Sequence, residues 1–169
     1  MKSRPERESA APGPPFSKLA RSAIEKHVPE VRSSEAWWSL ANNNVWVRWP
    51  AGDVFAYLAL HRHLDWISGE AGISREPHEI GELFPLPGVP AALVPGYRIR
   101  LGHLLDGDDR WWATGEGESE LIERLEWLVL QLRVKGAAYF RRYPPPASTT
   151  ENETAGSAGL RSPDKPRSH

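Results

Sequence analysis

Apolar residues recur at helical spacing near both ends of this chain, and between those stretches the pattern changes to the alternation of strands. Phe16, Leu19, Ala20, Ala23 and Ile24 share one helical face, with Lys18, Arg21, Glu25 and Lys26 opposite. That spacing predicts an amphipathic helix over Phe16–His27, ended by Pro29. Leu121, Leu125, Leu128 and Leu132, with Ile122 and Val129 beside them, predict a longer helix over residues 119–143, stopped by Pro144. Ser119 is its expected N-cap. Glu118, Glu120 and Glu123 suit the positive end of its dipole, and Arg141 and Arg142 the negative end.

The middle of the chain reads as strands. Val45, Trp46 and Val47 follow three asparagines that tolerate turn conformations, and residues 54–60 (VFAYLAL) follow the turn Pro50-Ala51-Gly52-Asp53. The two runs predict an antiparallel hairpin. Residues 65–73 predict a third strand, weakened by Gly69 and Gly72, and residues 97–104 a fourth. The turn Asp106-Gly107-Asp108-Asp109 leads to a short fifth strand over 110–114. Residues 75–96 carry five prolines and predict a long irregular excursion, uncommon inside a compact domain unless it covers something. Together these elements predict an α+β domain: an antiparallel sheet of about four to five strands, covered on one face by the long C-terminal helix and the shorter N-terminal helix.

Composition narrows the boundaries. Hydrophobic residues make up 40% of the 169, and the polar, Pro and Ser residues concentrate at 1–15 and 144–169. Neither tail has enough apolar surface to offset the entropy of ordering it, so both are expected to be disordered, leaving one domain over 16–143. The net charge of −1 lacks the basic excess of a general nucleic-acid binder, which counts against that partner class. The absence of cysteine excludes disulfides, zinc–thiolate sites and a cysteine nucleophile. Pro5, Glu6 and Glu8 stand where a secretory signal would be apolar, and no run approaches the length of a membrane span, so a cytoplasmic protein without a membrane partner is expected.

Three groups of residues invite chemistry. In an extended strand His61, His63 and Asp65 would share a face and, with His103 from a neighbouring strand, would offer zinc or iron a ligand set with open positions. The plainer reading is a polar strand end with solvated histidines, and no cofactor. Arg98 and Arg100 lie on one face of their strand and suit a phosphate or carboxylate, although Asp106, Asp108, Asp109 and residues 116–120 offer internal ion-pair partners. Eight tryptophans is a high count; in the pairs Trp37-Trp38 and Trp111-Trp112 a strand would turn one member inward and the other outward. Trp46, Trp66, Trp111 and Trp112 with the two arginines therefore form the candidate binding surface, against core or covered packing as the plainer reading. No Walker loop, GxGxxG, GxSxG or HExxH motif is present, and no catalytic residue is assigned.

The order VWVRWP, VFAYLALHRHL, DWISGEAGIS, RIRLGHL, DRWW and AYFRRY resembles a bacterial family catalogued as domain of unknown function 4304. The resemblance spans residues 16–143, implies an α+β fold and brings no catalytic residues with it. The leading expectation is a non-enzymatic interaction domain that binds a protein partner through an aromatic and arginine-rich sheet face or loop, in a defence, toxin-neutralising or regulatory setting. A metal-dependent hydrolase or oxygenase on the His-x-His-x-Asp strand, and a single-stranded nucleic-acid binder that stacks bases on tryptophan, are the alternatives.

Overall fold

Alternation along the central strands sends Val45, Val47, Leu58, Leu60 and Ile67 to one side of a sheet and Trp46, Tyr57, Ala59, His61 and Glu70 to the other. The computed structural model describes residues 13–86 and 96–145. Among the described residues seven strands form the sheet: β1 (Trp37–Leu40), β2 (Asn44–Ala51), β3 (Val54–His63), β4 (Trp66–Ser74), β5 (Phe84–Pro85), β6 (Gly96–Arg100) and β7 (Trp112–Ala113). Their order is β1-β2-β3-β4-β6-β5, and β7 pairs with the beginning of β4 beside β6. All pairings are antiparallel except β5 with β6.

The apolar side is covered by α1 (Phe16–His27) and α3 (Glu118–Arg142). Phe16, Ala20 and Ile24 from α1 and Leu121, Leu125, Leu128 and Leu132 from α3 are buried against the valines and leucines of β2 and β3. Helix α3 runs closest over β4, because Gly69 presents no side chain: a methyl there would stand 2.5 Å from Leu132 Cδ1. At the far end of α3 the Tyr97 ring packs on Phe140 at 5.6 Å, and its hydroxyl donates to the Tyr143 carbonyl. That bond ties the last turn of the helix to β6.

The structure departs from the expected elements at four places. The sheet has seven strands instead of four or five, because Trp37–Leu40 and Phe84–Pro85 also pair. The strand expected over 97–104 stops at Arg100, where the chain winds into α2 (Leu101–Asp106), closed by Gly107 in the left-handed conformation. Asp65 does not share the strand face of His61 and His63; it lies in the β3–β4 turn, where its carbonyl accepts the Thr114 N–H. The N-cap of α3 is Gly117, with Ser119 already inside the helix.

Part of the 75–96 segment covers one end of the polar side. A short turn of helix at Ile80–Glu82 places Ile80 and Leu83 against Trp46, Tyr57 and Ala59. The expected disorder of 1–15 and 144–169 falls, but for residues 13–15 and 144–145, outside the described residues. Among the described residues no helix is long and apolar enough to cross a membrane.

Candidate functional site

Register builds the site. Across the polar face, Trp46 pairs with Ala59, Ala59 with Glu70, and Glu70 with Arg100. In the rows on either side, Asn44, His61 and Ser68 line up, as do Arg48, Tyr57, Gly72 and Arg98. Ala59, small and buried in the cluster with Ile80 and Leu83, stands between Trp46 and Glu70, and the carboxylate is the hub of the face.

Glu70 is 1% exposed, and a buried carboxylate of this kind requires cations and donors around it. Arg98 Nη1 donates to both of its oxygens, at 3.2 and 3.0 Å, while Arg98 Nε donates to the Leu83 carbonyl. Arg100 Nε donates to Glu70 Oε1 at 3.1 Å, and Arg100 Nη1 reaches both oxygens of Asp109, at 3.3 and 3.1 Å. His61 Nε2 stands 3.7 Å from Glu70 Oε1, and its Nδ1 lies 2.7 Å from Asn44 Oδ1. Burial alone would push the Glu70 carboxyl up, but His61 and Arg98 outweigh it and hold the group down at about 2. A carboxyl so held stays ionised at neutral pH and is a poor proton donor or acceptor there. What it does is orient: it fixes two guanidiniums on side chains that would otherwise be long and mobile, with an imidazole beside them.

Aromatic groups rim this hub. The Arg100 guanidinium lies 5.5 Å from the centre of the Trp111 ring. Trp111, Trp66, His63, Arg62 and Asn44 line an open hollow of about 550 Å³ beside it. Leu64, in the β3–β4 turn next to Trp66, is 74% exposed and has a positive φ of 53°, a conformation that disfavours a branched side chain. On the other side of the hub, His103 faces a cleft of about 210 Å³ bounded by Arg98, Arg100, Asp109 and Leu86.

The expected site residues separate into those that converge and those that do not. Arg98, Arg100 and Trp111 meet, and Trp66 adjoins them. Trp46 shares the face but is buried, with Trp37 over it at 4.9 Å and Tyr57 at 6.3 Å, so it packs and offers little contact surface. Trp112 leaves for the helical side, where it meets Trp127 edge-on at 5.6 Å. His61 turns to Glu70 and Asn44, His103 Nδ1 is 3.1 Å from the Gly107 carbonyl, and Asp65 lies in the turn. Among the described residues no three His, Asp or Glu side chains form a group that would hold a metal ion.

Glu70 is the residue that sequence reasoning missed. Its one signal is a carboxylate between Gly69 and Ala71, in a strand whose other members are small or apolar. No family model, curated protein or solved structure matches this chain.

Proposed function

We propose that the chain is a non-enzymatic interaction module that binds a protein partner through the open half of its sheet face. The observation that carries this reading is the Glu70 hub: a buried, ionised carboxylate that holds Arg98, Arg100 and His61 in fixed positions beside Trp66 and Trp111, with the exposed Leu64 in the turn next to Trp66. Tryptophan and arginine dominate the energetics of protein interfaces, and ordering them in the free protein lowers the cost of association. The charges of the hub nearly cancel, which suits a mixed polar and apolar partner surface better than a polyanion. A cytoplasmic setting belongs to the same proposal. So does grouping with the domain of unknown function 4304 family: its RIRLGHL and DRWW segments supply Arg98, Arg100, Asp109 and Trp111, which adjoin in space.

Photo-crosslinking from position 64 in the native host tests the proposal. The full-length chain is expected to give one discrete protein adduct, reduced at least about tenfold by Trp66→Ala or Trp111→Ala in variants whose melting temperature is unchanged. An adduct indifferent to both substitutions, or none, would overturn it. Salt-sensitive quenching of the tryptophans by oligonucleotides, with no protein adduct, would move the assignment to single strands.

A further inference from the structure

The outer ridge of α3 is unusual for a helix that already covers a core. Away from Leu121, Leu125, Leu128 and Leu132 run Glu120, Glu123, Trp127, Leu130, Val134, Ala138 and Arg141, at steps of three or four residues, with Trp127 on the flank where it also meets Trp112. Trp127 is 40% exposed, Leu130 41% and Val134 62%, where a solvent-facing ridge is normally polar. The same ridge is acidic at its N-terminal end and basic at its C-terminal end, and Arg141 has no ion-pair partner among the described residues.

A helix with acid at one end, apolar residues in the middle and base at the other is complementary to itself when inverted. If two copies cross near Leu130 and Gln131 with their α3 helices antiparallel, Trp127 meets the partner's Val134, and the partner's Arg141 falls level with Glu120. The small Ala138 leaves room beside Trp127. A two-fold interface repeats every such contact, so one ridge satisfies both copies. Parallel pairing would instead put acid against acid and base against base. We propose that α3 is the self-association surface of this protein, forming an antiparallel homodimer through residues 120–141. The inference does not rest on the partner-binding reading: α3 covers the opposite side of the sheet from the Glu70 hub, so the dimer leaves both hubs free.

Sedimentation of the full chain between about 1 µM and about 500 µM tests this. A concentration-dependent monomer–dimer equilibrium is expected. Val134→Arg, at a side chain largely in solvent, is expected to weaken the dimer at least about tenfold without moving the melting temperature of the dilute monomer. Glu120→Arg alone and Arg141→Glu alone should each weaken it, and the double exchange should recover most of the loss. Because the chain has no cysteine, Leu130→Cys supplies a lone thiol near the two-fold axis and Ser119→Cys one far from it. Mild oxidation should link the first and not the second. A monomer at every concentration, or linkage at both positions, overturns the proposal.

Discussion

Glu70 has the clearest consequence for single-residue experiments. Its folded-state pKa is depressed from an ordinary 4.5 to about 2, so its ionised form stabilises the fold fully above pH 4.5. That contribution, roughly 3 kcal/mol, drains away as the pH falls from 4.5 towards 2. Glu70→Gln keeps the shape but leaves Arg98 and Arg100 without their buried counter-ion, which is expected to cost about 3 kcal/mol at neutral pH. It should also flatten the acid limb of the stability curve. Urea midpoints at a series of pH values, for wild type and variant together, measure both effects; parallel acid limbs would contradict the role assigned to this carboxylate. The arginine half of the hub was legible in the sequence, because Arg98 and Arg100 alternate with Tyr97 and Ile99 in a strand. The glutamate was not, since its partners lie 28 and 30 residues away and only the β4–β6 register brings them together.

Among the elements, periodicity revealed those whose pattern has a single interpretation. Helix α1, helix α3 and the β2–β3 hairpin each repeat one spacing over many residues. Strand β6 and helix α2 share a residue between two spacings: Tyr97, Ile99 and Leu101 alternate as a strand, while Leu101, Leu104 and Leu105 repeat as a helix. The boundary at Arg100 could not be read from either pattern alone. The β3–β4 turn was hidden for a different reason, since Leu64-Asp65 lacks the Gly or Asn that favours such hairpins. Gly69, read from sequence as a weakness in β4, is the point where α3 approaches the sheet. Gly69→Ala would force its methyl on Leu132 and to 3.1 Å from the Ala59 carbonyl, and is expected to destabilise the protein by about 1–3 kcal/mol. Thermal and urea unfolding test this; a neutral or stabilising effect would mean that α3 does not seat as closely as described.

For the molecule as a whole, one sheet serves two chemistries. Its helix-covered side supplies most of the buried apolar side chains, and its other side carries the charged hub and the tryptophan rim. The α+β class and the two covering helices followed from the sequence, whereas the strand order did not, because β5 and β7 are two residues long and acquire meaning only against their neighbours. Strand β4 sits inside this order, held along one edge by β3 and along the other by β7 and β6 in turn. Its amides, including that of Glu70, should therefore exchange with solvent deuterium only when the entire domain opens. They should do so at least about 100-fold more slowly than those of β1, which has a neighbour on one side alone. The hub would then lack any partly unfolded form in which it is lost while the rest survives, and a proteolytic or thermal challenge should abolish it only together with the fold.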